Sequence, residues 1–236
     1  MNILTNNVLF GIVLSLIAFE IGLYIYRKTN ISFFNPLLIA IGLVICFLLS
    51  FNIDFEIYNK GAQFINMFLG PCTVVLAIPL YKQIELLKEH YTSIIIGILV
   101  GSIIGIFSII GLSYILNLDG DIIKSLIPKS VTTPIGIEIS SELGGLVPIT
   151  VLAIVITGIF GAVMGPTICR IFRITDPVAV GISLGTAAHA VGTSKAIELG
   201  ETEGAMSGLS VGVAGIITVF IAPLSYHFAI FIYNLF

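Results

Sequence analysis

DPVAVGISLGTAAHAVGTSKAIELG, residues 176–200, is long and apolar enough to enter a membrane, yet its middle is wrong for lipid. Asp176 is a good helix N-cap, and Pro177 suits the first turn, where no backbone N–H is needed. The centre, SLGTAAHAVGTSK, then mixes glycine, small hydroxyls, a histidine and a lysine. Polar groups facing hydrocarbon are costly. A helix that breaks beside a water-filled cavity tolerates them, because freed backbone groups find water or ligand there. A small-residue helix packed tightly against its neighbours is the other reading.

The rest of the chain sets that stretch in a membrane. Of 236 residues, 57% are hydrophobic and only 10% charged, with a mean hydropathy of +1.13. Soluble domains carry about 25% charged residues. The expected class is therefore an all-α integral membrane protein. At roughly 20 residues per span the length allows seven or eight segments. Apolar runs place them at 8–26, 36–51, 64–81, 92–116, 120–146, 147–169, 177–197 and 205–233. With 10 Lys and Arg against 13 Asp and Glu, there is no basic surface for nucleic acid. The N-terminal run lacks a basic region and a cleavage site and reads as a first membrane segment. Cys46, Cys72 and Cys169 lie in apolar runs without metal spacing, as buried thiols do.

Lys/Arg bias orients the segments. Arg27, Lys28, Lys82, Lys88, Arg170 and Arg173 are expected on one side, and Asn117 on the other. Residues 120–146 must then enter and return on the same side. Pro128, Pro134 and Gly144-Gly145 interrupt them as a re-entrant hairpin requires. Two further segments are expected to be discontinuous helices. One is 64–82, broken at Gly70, Pro71 and Pro79; the other is the opening stretch, broken around Gly185 and Gly192. Gly97, Gly101 and Gly105 form one small-residue ladder, and Gly204, Gly208 and Gly212 another. These point to inverted repeat units at about 36–116 and 147–236 within a single domain, and to a dimer seam, although such ladders also occur in ordinary helix packing.

LGPCTVVLAIPLYKQ, PKSVTTPIGIEIS and SLGTAAHAVGTSKAIELG together resemble the LrgB/CidB family, which includes YohK-type proteins and a plastid glycolate/glycerate relative. The resemblance implies a bacterial cytoplasmic (inner) membrane location and two functions. One is carriage of small monocarboxylates. The other is antiholin-like or holin-like control of murein hydrolase export and autolysis with an LrgA/CidA-type partner.

The residues favour a carrier, because polar groups concentrate at the breaks. Half-helix N-termini bind anions. Ser130, Thr132 and Thr133 supply hydroxyls at one break, and Thr186, Thr193 and Ser194 at the other. Lys195 is a candidate anion partner, or an interfacial lysine. His189 is a candidate proton carrier, or a packing histidine. Glu138 and Glu142 are further proton-coupling candidates, or partners for Lys129 and Lys195; Glu20, within an apolar run, is another, or lies near the headgroups within reach of Arg27 or Lys28. No nucleophile–base pair, metal-ligand spacing or phosphate loop points to an enzyme, a metal or a cofactor.

Overall fold

The computed structural model describes residues 7–29, 34–68, 71, 74, 75, 77–82 and 84–233. Among them every regular element is a helix. Four helices are long and apolar enough to cross a membrane: Leu9–Thr29, Lys88–Ile115, Val147–Ile171 and Glu201–Phe228. Their exposed side chains include Leu152, Phe160, Phe220 and Leu224, a surface that suits lipid and not water. The chain is a multi-pass membrane protein.

It forms two compact units, Met1–Val75 and Leu76–Phe236. The first holds α1 (Leu9–Thr29), α2 (Pro36–Ser50) and α3 (Phe55–Asn66). Asn35 caps α2 by accepting from Leu37 N and Leu38 N. A Cβ on Gly11 would collide with the backbone of α3, so the two chains touch there directly. Ser15 Oγ and Tyr58 Oη bond at 2.9 Å across the same contact. The sequence reading left 52–63 outside any segment. Its polar residues, with Glu56 and Lys60, belong to an amphipathic helix that packs one face on α1.

The second unit holds α4 (Ala77–Lys82), α5 (Ile84–Ile115), α6 (Gly120–Leu126), α7 (Thr133–Leu143), α8 (Val147–Ile171), α9 (Pro177–Leu199) and α10 (Glu201–Tyr233). Helix α5 starts at Ile84, ahead of the apolar run at 92, because Glu85 to His90 continue the helix beyond the hydrocarbon. Pro79 does not break its segment: it lies within α4. Pro71 also has helical backbone, and Gly70 lies outside the described residues.

Residues 119–146 form the expected hairpin. Helices α6 and α7 rise only about 10 and 16 Å, short of the roughly 30 Å hydrocarbon core. Pro134 opens α7, and Gly144, at φ 75°, ends it in the left-handed conformation that suits glycine. Polar bonds stitch the base: Leu146 N donates to Ser125 Oγ at 2.7 Å, and Thr150 Oγ1 to Ser140 Oγ at 2.7 Å.

Helix α9 departs further from expectation. Asp176 caps it, accepting from Ala179 N at 2.9 Å, with Pro177 in the first turn. The break falls at Ala188 (φ −128°, ψ 16°) and His189 (φ 43°, ψ −139°), between Gly185 and Gly192 and at neither. Nor is it a kink. A Cβ on Gly181 would meet Glu203 and Met206, and one on Gly185 would meet Ser207. The first half thus runs parallel to α10. Beyond the break the order reverses, for Thr193 bonds Ser207 and Ile197 lies against Gly204. The second half runs antiparallel to the first. A Cβ on Gly192 would collide with Leu184 O, although eight residues of straight helix span about 12 Å. Stretch 176–200 is a second re-entrant hairpin. The glycines serve to bring backbones together, and the reversal itself is made by His189.

His189 takes a backbone conformation that costs a non-glycine residue about 1–3 kcal/mol. Its side chain holds it there. The imidazole is 4% exposed, and Nε2–H donates to Ile154 O of α8 at 3.0 Å. Gly158 makes the room, since a Cβ there would lie 2.7 Å from His189 Cε1. Thr193 Oγ1 bonds both His189 O at 3.1 Å and Ser207 Oγ at 2.9 Å.

The hairpins enter from opposite ends of α5 and α10. At one end Lys82 pairs with Glu201 at 3.5 Å, and Val178 and Ile182 pack with Ile94 and Met206. At the other, Ile127, Ile139 and Ile123 pack with Ile106 and Ala222. Lys82, Arg170 and Arg173 therefore share an end, as the charge bias requires, and Asn117 lies at the opposite one.

Two outcomes follow. In a cysteine-free background, single cysteines at 173 and 201 should react with an impermeant maleimide from one side and a cysteine at 117 from the other; labelling of 173 and 201 from opposite sides would mean that α9 spans. His189→Ala should lower stability by about 2 kcal/mol, losing a buried bond and volume while keeping the strained backbone. His189→Gly should melt no lower than His189→Ala, because glycine relieves the strain.

Candidate functional site

The two hairpin tips meet at a cavity of about 590 Å³. Ile127, Lys129, Ser130 and Val131 line it from the first tip, and Thr186 and Ala187 from the second. Along α5, the second tip touches Gly101 and the first packs with Ile106, so they differ in height by only about 7.5 Å. The cavity continues from the tips to His90, Ser93 and Asp176, at the end that carries Arg173. Towards the other end its lining includes Ile106 and Ile127, which belong to an apolar cluster with Ala222.

One wall is the α5 ladder. Gly97, Gly101 and Gly105 all line the cavity. A Cβ on Gly105 would meet nothing within 4 Å, and one on Gly101 would meet the Thr186 methyl at 3.1 Å. This ladder makes room for a cavity more than it seals a seam. On α10, Gly204 packs on Ile197, whereas a Cβ on Gly212 would stand in open space.

The polar groups at the tips are unevenly satisfied. Lys129 Nζ donates to Ser130 Oγ at 3.1 Å. It belongs to none of the ion pairs among the described residues, which join Lys82–Glu201, Lys124–Asp121 and Lys195–Glu198. Ser102 Oγ and Thr186 Oγ1 are the buried side-chain atoms with no hydrogen-bond partner among the described residues, and both residues line the cavity. A buried hydroxyl left unpaired costs about 1–3 kcal/mol. The unsatisfied polarity of this unit thus gathers at one place.

Of the residues singled out from sequence, Ser130 and Thr186 come together at the cavity. Thr132 and Thr133 stand next along the first tip, at the N-terminus of α7, outside the lining. His189 and Thr193 are turned away from it, into the bonds that hold the second tip. Ser194 is exposed and donates to Ala190 O at 3.3 Å. Lys195 pairs with Glu198 at 2.7 Å. Glu138 and Glu142 are exposed on α7. Glu20, in the first unit, is exposed among Leu16, Ile17, Ile21 and Tyr24. No group of metal-binding side chains occurs among the described residues.

The sequence reading gave Lys129 only as a partner for Glu138 or Glu142 and passed over Ser102 and Thr218, although all three line the cavity. A signal existed for Lys129. Glu142-Leu143-Gly144 ends the first hairpin and Glu198-Leu199-Gly200 the second, with Gly136 and Gly192 in matching positions. Each hairpin is followed by a long helix with an internal proline, Pro166 in α8 and Pro223 in α10. In this register Ser130 matches Thr186, the pair that faces across the cavity, and Lys129 stands beside them.

Comparison with known proteins adds the family. The LrgB-like family model matches residues 15–228. Proteins named antiholin-like protein LrgB from Bacillus cereus (strain B4264) and Bacillus anthracis (strain A0248) are 39% identical over 216 residues, covering 91% of this chain and 94% of each relative. No solved structure matches. With its two opposed hairpins and the cavity between them, the chain belongs to the LrgB-like family.

Proposed function

We propose that this protein is a secondary carrier of small monocarboxylates, of the pyruvate, glycolate, glycerate and acetate class, acting in the bacterial cytoplasmic membrane. The observation that carries it is the meeting of two re-entrant tips, from opposite ends of the helical unit, at one cavity whose lining includes Lys129 and the hydroxyls of Ser102, Ser130, Thr186 and Thr218. Substrate sites at midmembrane are built where half-helices end, because backbone and hydroxyl groups there can replace water around a solute. The cavity lining runs from the tips towards one end of the unit, and an apolar cluster lies beyond the tips towards the other, an arrangement that suits one state of an alternating carrier. The pair 119–171 and 176–233, each a hairpin followed by a long helix, is in this proposal the inverted repeat, in place of the longer halves at 36–116 and 147–236. His189 remains a candidate for proton coupling through the second tip, which it holds, in place of direct contact with the solute.

The relatives' names favour a second reading more directly. An antiholin-like protein would regulate murein hydrolase export and autolysis with an LrgA/CidA-type partner, as a dimer or a larger assembly. The two proposals are compatible if carboxylate flux sets the lytic state.

Uptake of labelled pyruvate, lactate, acetate, glycolate and glycerate into liposomes that hold only this protein separates them. At least one should enter saturably. Gly105→Leu, which fills open space in the cavity, should cut that uptake at least about tenfold with an unchanged melting temperature. No uptake of any of the five, together with lysis control that needs only the LrgA/CidA-type partner, would leave the second reading standing and end the first.

A further inference from the structure

We infer that Lys129 is the residue that makes the cavity an anion site, a role that rests on the carrier reading above. Helix dipoles do not settle the sign of this site. Each tip joins the C-terminal end of one half-helix to the N-terminal start of the next: α6 to α7 at the first, and the two halves of α9 at the second. The partial charges at each tip are opposite and largely cancel. Hydroxyls do not settle it either, because Ser102, Ser130, Thr186 and Thr218 can each donate or accept.

The charged side chains decide. Asp176, at the far mouth, is occupied as the N-cap of α9. His90 is exposed at the same end. At the tips the described lining residues hold one charged group, the Lys129 ammonium, half-buried and bonded to Ser130 Oγ, with no carboxylate within ion-pair distance among the described residues. An ammonium at membrane depth is costly without a counter-charge. Glu138 and Glu142, on the same hairpin, are exposed and do not supply one. A small anion in the cavity would. It would also give Ser102 Oγ and Thr186 Oγ1, unpaired at present, an acceptor to donate to after a rotamer change. In the register of the two hairpins, Lys129 matches Gly185, which packs on the backbone of Ser207. The charge is therefore carried by one tip only, and the second tip contributes hydroxyl and backbone.

Acetate, pyruvate and uncharged acetamide are the probes. In liposomes the wild-type protein should take up acetate or pyruvate, and excess acetamide should not inhibit that uptake. Lys129→Gln should raise the half-saturating anion concentration at least about tenfold and narrow the discrimination between acetate and acetamide. Lys129→Arg, which keeps the charge, should recover most of the discrimination. A purely structural lysine would alter melting temperature and leave discrimination unmoved, and that result would overturn the inference. If Lys129→Gln does not fold, the wild-type protein still decides: acetamide competing as well as acetate means that no charge is read. If the wild-type protein carries neither acetate nor pyruvate, melting in detergent tests Lys129 apart from the carrier reading, which the five-substrate uptake decides. Acetate should then raise the wild-type melting temperature and leave that of Lys129→Gln unchanged; an equal rise in both would overturn the assignment.

Discussion

Everything in the larger unit depends on how closely α9 lies on α10. Gly181 and Gly185 rest on the backbone of Glu203 and Ser207, and Gly192 on that of Leu184. In lipid there is no hydrophobic drive to bring two helices together, so contact must come from packing and from polar bonds that hydrocarbon cannot offer. Side chains larger than hydrogen at these positions would hold the backbones apart. The hairpin would then lose the Thr193–Ser207 bond and the seat of His189 on α8. Ile154 shows how tightly the parts are joined: its side chain abuts Gly136 of one hairpin, and its carbonyl accepts from His189 of the other.

The two hairpins spend their polar residues differently. At the base of the first, Ser140 and Thr150 satisfy one another, and Ser125 satisfies Asp121 O and the turn at Leu146. At the tip of the second, His189, Thr193 and Ser207 do the same. Both sets are closed networks, which rigidify a structure. The groups around the cavity are not closed. Among the described residues the fold satisfies buried polarity elsewhere and leaves two hydroxyls and an ammonium underused at the spot where the proposed substrate would find partners.

Much of this was legible in residue order. Hydropathy placed the long helices, Pro134 and Gly144 marked the first hairpin, and Asp176-Pro177 marked the start of the second. The reversal at Ala188-His189 was not legible, because neither residue has a preference for such backbone; tertiary contacts with Gly158 and Ile154 impose it. For the same reason the polar residues of 176–200 could not be divided in advance. Thr186 and Thr193 are alike in type and differ only in which side of a fold-back they occupy. Lys129 was paired in sequence with Glu138 and Glu142, which the structure leaves exposed on α7, and its place beside Ser130 at the cavity shows only once the tips meet. The amphipathic α3 escaped for a plainer reason: its polar face hid it from a search for apolar runs.

The fold-back of α9 also bears on how the chain is made. A segment that returns to its own side does not have to be carried across the bilayer during synthesis. With hydroxyls, His189 and Lys195 in its interior, it is a poor candidate to leave the insertion machinery for lipid unaided. Its resting place is built partly from α10, which emerges from the ribosome after it. The hairpin therefore has to wait at the membrane face until α10 has entered, and then settle between α10, α8 and α5 as a late step of assembly.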